Sequence, residues 1–213
     1  MLTTSILSRS SKIGYNINMN KIKLTEQIFI YENVMSNKIN IIKDLENIFN
    51  VYEKNFVDAS INDKEYNKEL RSCTVFSLFN DVSEIHLKEY QLEKAKLNDK
   101  INHELSGAFL DYIKDLGLKI KERESWEILK YEQTQKLTWH NDNGESHPCL
   151  ISFVYYINDD YEGGEIQFKD KLDSVPYKPK ANSLIIFPSD ENHIHRVLPI
   201  VKGVKYAAIS FGK

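Results

Sequence analysis

The sequence predicts an α+β protein, with supporting helices in the N-terminal half and a closed or two-layered antiparallel barrel or jelly roll in the C-terminal part. Three observations predict it. All five prolines and five of the eight glycines lie in the last third of the 213 residues, so helix breakers crowd one end of the chain. Upstream of about residue 120, apolar residues recur at helical spacing. From Trp126 onward the apolar residues fall in short segments rich in aromatic and β-branched side chains, divided by turn chemistry.

Element by element, Gln27 to Val34 reads as a short strand. Ser36 then reads as the N-cap of a helix carrying Ile39, Ile42, Leu45, Ile48 and Phe49 and ending near Tyr52. Asp58 to Arg71 is polar and aperiodic, a loop long enough to move over a site. Glu84 to Leu116 returns to helix, with Leu105, Phe109, Tyr112, Ile113 and Leu116 on one face and Gly117 to stop it. Eight strand candidates follow: Trp126–Gln133, Lys136–Asn141, Cys149–Asn158, Glu165–Phe168, Ser174–Tyr177, Ser183–Phe187, His193–Pro199 and Lys205–Phe211. That many short strands suggest an antiparallel barrel or jelly roll. Residues 1–22 are expected to be a flexible tail and 23–213 a single domain, with helical support over about 36–117 and the β core over about 124–213.

Composition excludes several function classes. With 28 Lys and Arg against 31 Asp and Glu, the net charge of −3 supplies no general positive field, so nucleic acid is not the expected partner. Two cysteines, Cys73 and Cys149, make neither a disulfide scaffold nor a zinc pair, and a soluble, cytoplasmic protein in a reducing compartment is expected. No window approaches the ~18 uninterrupted apolar residues of a membrane helix. The oligomeric state leaves no trace in the sequence.

The chemistry concentrates where four of the six histidines lie, between residues 140 and 195. His140 and Asp142 are two apart on a predicted strand. On extended backbone, residues i and i+2 face the same way with Cα atoms about 6.5–7 Å apart, so an imidazole and a carboxylate can converge on one atom. A third ligand is available in His193 or His195, and the pattern alone leaves open which. A hairpin closed by Pro199–Gly203 would set Val197 opposite Lys205 and put His195, Val197 and Lys205 on one face. A lysine on an otherwise apolar interior strand requires an anion. Two histidines and one carboxylate leave three coordination positions open, which suits non-haem Fe(II) and oxygen chemistry. Zinc hydrolysis can use the same donors but gives Lys205 no task.

The segment from Trp126 onward resembles the iron(II)/2-oxoglutarate-dependent dioxygenases, in particular the prolyl 4-hydroxylase-type catalytic domain. Tyr131 stands nine residues before His140, as the family's tyrosine does. The turn Tyr156-Ile157-Asn158-Asp159, then Gly163-Gly164-Glu165, and the strand ending Phe187-Pro188 follow in the family's order. Pro199, Gly203 and Lys205 lie four, eight and ten residues after His195, offsets that His193 would break. Two departures, Thr134-Gln135 for a glycine-rich stretch and Ile166 for the usual threonine, leave the metal centre untouched and bear on substrate identity.

The resemblance implies a double-stranded β-helix (jelly-roll) core. It implies that His140, Asp142 and His195 bind Fe(II), that Lys205 pairs with the far carboxylate of 2-oxoglutarate, and that Tyr131 hydrogen-bonds this cosubstrate. O₂ is the second cosubstrate, with ascorbate as an accessory. Arg71, in an Arg-x-Ser segment, and Tyr156, on the Ser152–Val154–Tyr156 face of its strand, are candidate substrate contacts. His147 and His193 are expected near the site but not as ligands. The implied reaction is C–H hydroxylation of a prolyl residue in a peptide or protein. The rival readings are the same chemistry on another side chain, free amino acid or nucleobase, a metal hydrolase, and a non-catalytic jelly-roll binding module.

Overall fold

Thirteen strands and two α-helices make up the described part of the computed structural model, which comprises residues 19–36, 39–49, 55–59, 67–79, 88–145, 147–169 and 175–213. The strands are β1 (Asn20–Lys23), β2 (Phe29–Glu32), β3 (Val57–Asp58), β4 (Thr74–Ser77), β5 (Glu127–Tyr131), β6 (Leu137–His140), β7 (Ile151–Tyr156), β8 (Glu162–Gly163), β9 (Ile166–Phe168), β10 (Ser183–Pro188), β11 (His195–Val197), β12 (Ile200–Lys202) and β13 (Lys205–Gly212). Eight of them form one antiparallel sheet in the order β1-β2-β10-β7-β13-β5-β4-β3. A smaller sheet, β6-β11-β9, and the pair β12-β8 complete the strands.

Period-2 alternation gives the large sheet two different faces. Phe29, Tyr31, Phe76, Ile128, Phe153, Leu184 and Ile186 share one buried cluster with the helices α1 (Ile41–Phe49) and α2 (Lys88–Leu116). The alternate residues Ile28, Ile30, Ile185 and Phe187 pack instead with Ile166 and Phe168 of β9. Along α2 the stripe Leu97, Ile101, Leu105, Ala108 and Tyr112 is buried. Each buried Leu or Ile of the stripe contributes roughly 1.5–3 kcal/mol, which outweighs the otherwise polar composition of the helix. The helix stops as the sequence predicts: Gly117 takes φ +64°, and Leu118 N–H donates to Ile113 O at 2.9 Å, closing a Schellman turn. No helix among the described residues is long and apolar enough to cross a membrane.

Several expectations are corrected. The α1 N-cap is Asn40, whose side chain accepts from Lys43 N–H at 3.0 Å. Ser36 is taken by Glu104, which accepts from its backbone N–H at 2.6 Å and its hydroxyl at 3.1 Å. Residues 20–22 lie in β1 rather than in a tail, because this polar strand pairs with β2 while Lys21 reaches Asp111 and Asp115 of α2 at 2.5 and 2.7 Å. Two short strands, β3 and β4, interrupt the stretch expected to be helical support, and β3 occupies the start of the expected Asp58–Arg71 loop. Residues 1–18 of the tail, the ends assigned to both helices near Tyr52 and Glu84, and half of that loop lie outside the described residues, as does Ser174 at the start of one predicted strand. Of that strand, Tyr177 makes an isolated bridge to Ile166.

The hairpin expected at Pro199–Gly203 does not form. β11 pairs with β6 and β9, β12 with β8, and β13 with β5 and β7, so Lys205 sits opposite Tyr131 instead of Val197. The chain changes sheets here, and Gly163 makes the crossing possible. Its φ is +77°, and a Cβ there would lie 2.3 Å from Pro199 O and 2.9 Å from Val201 N. Positive φ and a backbone clash act together, so Gly163→Ala is expected to cost about 3 kcal/mol, read as a lower urea midpoint at unchanged m-value. An unaltered midpoint would contradict so close an approach of β8 and β12.

Candidate functional site

Strand pairing assembles the three candidate ligands. His140 closes β6 and His195 opens β11, and the two are Cα partners across the antiparallel ladder, with ring centroids 4.2 Å apart. His140 Nδ1 lies 2.8 Å from Thr138 O, and His195 Nδ1 lies 3.0 Å from His193 O. A carbonyl can only accept, so each Nδ1 carries a proton and each Nε2 is the nitrogen left to bind a metal. Both Nε2 atoms face Asp142, His140 Nε2 at 3.3 Å from Oδ1 and His195 Nε2 at 3.7 Å from Oδ2, so a cation between them would meet all three groups. One ligand atom from each residue lies within 4.8 Å of the others, the spacing of a metal site.

Charge follows burial. His195 is 5% exposed, and burial, reinforced by neighbouring His140, brings its pKa down to about 4, so it is a neutral donor at pH 7. Burial would raise the Asp142 carboxyl, but His195, His140 and the Ser152 hydroxyl hold it well below the usual carboxylate range. Ser152 Oγ donates to Asp142 Oδ2 at 2.6 Å. Two imidazoles and one carboxylate are the nitrogen and oxygen donors that suit Fe(II).

These residues open into a cavity of about 840 Å³ lined from both sheets. Lys205 lies at its wall, 1% exposed, donating to Gly164 O at 2.8 Å. Its Nζ stands 4.9, 5.4 and 6.0 Å from the ring centroids of Tyr156, Tyr131 and Tyr161. Among the described residues no carboxylate lies within ion-pair distance of Nζ, and burial brings the amine pKa down to about 7. The buried Tyr156 hydroxyl has no hydrogen-bond partner among the described residues. Arg71 Nε reaches Cys73 Sγ at 3.5 Å, while Leu70, Phe79 and Trp139, all exposed, rim the opening.

All seven residues singled out from the sequence, His140, Asp142, His195, Lys205, Tyr131, Arg71 and Tyr156, line this one cavity. His193 supplies the carbonyl that orients His195, and its own Nδ1 meets Asp190 Oδ1 at 2.7 Å. His147 lies beside Phe211 and Glu124. Sequence reasoning missed Ser152 and Ser189 beneath the carboxylate. The available signal was a hydroxyl on the inward face of β7, an otherwise apolar strand.

Residues 126–212 match the family model of the 2OG-Fe(II) oxygenase superfamily. The matched segment is less than half of the 213 residues. The superfamily's cofactor and cosubstrates are Fe(II), 2-oxoglutarate and O₂, and the His–Asp–His donor set fits the metal. A PKHD-type hydroxylase of Synechococcus sp. (strain JA-3-3Ab) is 32% identical over 89 residues, 38% of this chain and 39% of the relative. Another, of Gloeothece citriformis, is 26% identical over 128 residues, 57% of each protein. The chain thus spans about two fifths of the length of the former. The same fold is found in a Pseudomonas putida prolyl-4-hydroxylase (TM-score 0.63, 16% identity, 89% of this chain and 94% of that one). It is also found in a Trichoplax adhaerens prolyl hydroxylase solved with a hypoxia-inducible-factor peptide (TM-score 0.62, 18% identity, 88% and 84%).

A buried amine with a depressed pKa has a consequence for stability. The unfolded chain binds more protons than the folded one between pH about 7 and 10.5, so the wild type gains stability as pH rises through that window. Lys205→Met removes the penalty. In the metal-free protein at pH 6.5 it is expected to melt higher, by roughly 2–4 °C per kcal/mol relieved, and the margin should narrow toward pH 10. A variant less stable than wild type at pH 6.5 would contradict the burial of an uncompensated charge.

Proposed function

We propose that this protein is an Fe(II)- and 2-oxoglutarate-dependent dioxygenase that hydroxylates a C–H bond of a prolyl residue in a peptide or protein. The observation that carries the proposal is the pairing of a His–Asp–His cluster with a buried lysine in one cavity. A dicarboxylate whose keto-acid end meets the metal and whose other end meets Lys205 satisfies both. The prolyl substrate is supported by the names of the proteins that share the fold and by those of the PKHD-type relatives. The catalytic unit is one domain over residues 23–213, extended by β1 to Asn20, with a double-stranded β-helix core formed by the two facing sheets. Two free, buried cysteines fit a reducing, cytoplasmic setting.

When bound, Fe(II) with 2-oxoglutarate and O₂ supplies oxidative hydroxylation, in which one oxygen atom enters the substrate C–H bond and the other enters succinate as CO₂ leaves. The protein's own residues prepare for it. His140 Nε2, His195 Nε2 and Asp142 Oδ1 hold the metal, and the Thr138 and His193 carbonyls keep both rings in the required tautomer. Lys205 pairs with the distal carboxylate of the cosubstrate, while the Tyr131 and Tyr156 hydroxyls flank it. This moves Tyr156 from a substrate contact to the cosubstrate side, because its ring lies 4.9 Å from Lys205 Nζ. Arg71, on the cavity wall with its Nε against the buried Cys73, holds the peptide so that only the target carbon enters, and the apolar wall excludes water.

The deciding experiment is Fe(II)-dependent succinate formation with a peptide library that includes proline repeats, ascorbate keeping the metal reduced. Wild type is expected to add one oxygen to a prolyl peptide, and His195→Ala to lose at least about 100-fold in turnover. Equal turnover by the two proteins would overturn the ligand assignment. Affinity for 2-oxoglutarate carries a pH signature as well. The charged amine binds the carboxylate, so above the free-protein pKa of about 7 binding must take up a proton, and Kd should rise about tenfold per pH unit. Calorimetry giving the same Kd from pH 6.5 to 8.5 would remove Lys205 from the cosubstrate site.

A further inference from the structure

Asp142 has two carboxylate oxygens, and the protein has already engaged one of them. Ser152 Oγ donates to Oδ2 at 2.6 Å, and Ser189 Oγ lies 2.7 Å from Ser152 Oγ. The direction of this chain is fixed: a carboxylate only accepts, so the Ser152 proton points at Oδ2 and the Ser189 proton at Ser152. Both serines are 1% exposed. Burying two hydroxyls where alanine would fit is unfavourable unless each is hydrogen-bonded, and these two are bonded in series to a metal-facing acid.

Ser189 is itself held at both backbone ends. Its N–H donates to Leu150 O at 3.0 Å, and its carbonyl accepts from Asn143 N–H at 3.0 Å, the residue next to Asp142. On the same loop, Cys149 Sγ donates to Asp142 O at 3.1 Å and Asn143 Oδ1 accepts from Cys149 N–H at 3.1 Å. The end of β10 thus grips the loop that carries the acid, through its backbone and through Ser152.

We infer that Ser152 and Ser189 form a buried hydroxyl relay that positions Asp142 as a one-oxygen ligand, occupying Oδ2 so that only Oδ1 is free for the metal. The inference rests on the reading of His140, Asp142 and His195 as metal ligands and adds two positioning residues to it. Its chemical consequence is an open site. A carboxylate binding through both oxygens would leave two of six octahedral positions, one too few for a chelating keto acid together with O₂.

The test is Mn(II) binding followed by electron paramagnetic resonance in the 2-oxoglutarate-free protein, with calorimetric titration of 2-oxoglutarate into the Mn(II)-loaded form. Ser152→Ala is expected to weaken Mn(II) binding about 10–100-fold, to change the Mn(II) spectrum and to weaken 2-oxoglutarate binding, while Ser152→Thr, which keeps a hydroxyl, restores all three. Ser189→Ala is expected to have a smaller effect that vanishes in the Ser152→Ala background, because it acts only through Ser152. Wild-type Mn(II) affinity and spectrum in Ser152→Ala, or effects of the two substitutions that multiply in full, would overturn the relay while leaving the metal site standing. A wild type that binds no Mn(II) would overturn the metal-site reading and the relay with it.

Discussion

The register between β6 and β11 is the constraint on which the site depends. His195 faces His140 directly across that ladder, and both rings turn inward because each Nδ1 is held by a carbonyl of its own chain segment. A slip of one residue would replace His195 on the inner face with Arg196. What prevents the slip is the apolar packing around the strand. The His195 ring sits 4.8 Å from Phe187 and 5.7 Å from Phe168, so displacing it would leave a hole between two buried aromatics. Ligand geometry and core packing are therefore secured by the same contacts.

Lys205 shows the opposite relation between stability and function. A buried ammonium with one carbonyl and three aromatic rings around it is held at a cost that an apolar residue would avoid. The rings recover part of that cost, and an anion entering the cavity would recover more. The orphaned Tyr156 hydroxyl beside it follows the same logic. The protein alone satisfies both groups poorly, and both line the cavity.

Much of the site was legible because its spacings are short-range. The His-x-Asp pair needs only the period of a strand, and Gly117 needs only the positive φ of a helix stop. What depended on long-range pairing was not legible. The Pro199–Gly203 stretch looks like a hairpin in sequence, yet β12 leaves for β8 because Gly163 admits it, and no local signal marks that switch. Ser36 outranks Asn40 as a cap only until Glu104, 68 residues away, engages it. The polar strand β1 becomes a strand through pairing with β2 and ion pairs to α2. Lys205 reached the cavity despite the wrong neighbour having been assigned, because the alternation of β13 alone turns it inward.

That one small molecule bridges the His–Asp–His cluster and Lys205 is the central claim, and coupled binding tests it most directly. Calorimetric titration of 2-oxoglutarate into metal-free and into anaerobic Fe(II)-loaded protein should give one site whose affinity rises at least about tenfold when the metal is present. Replacing Lys205 with methionine should weaken binding in the loaded form. Equal affinity with and without metal, or no dependence on Lys205, would mean that the two halves of the cavity do not share a ligand.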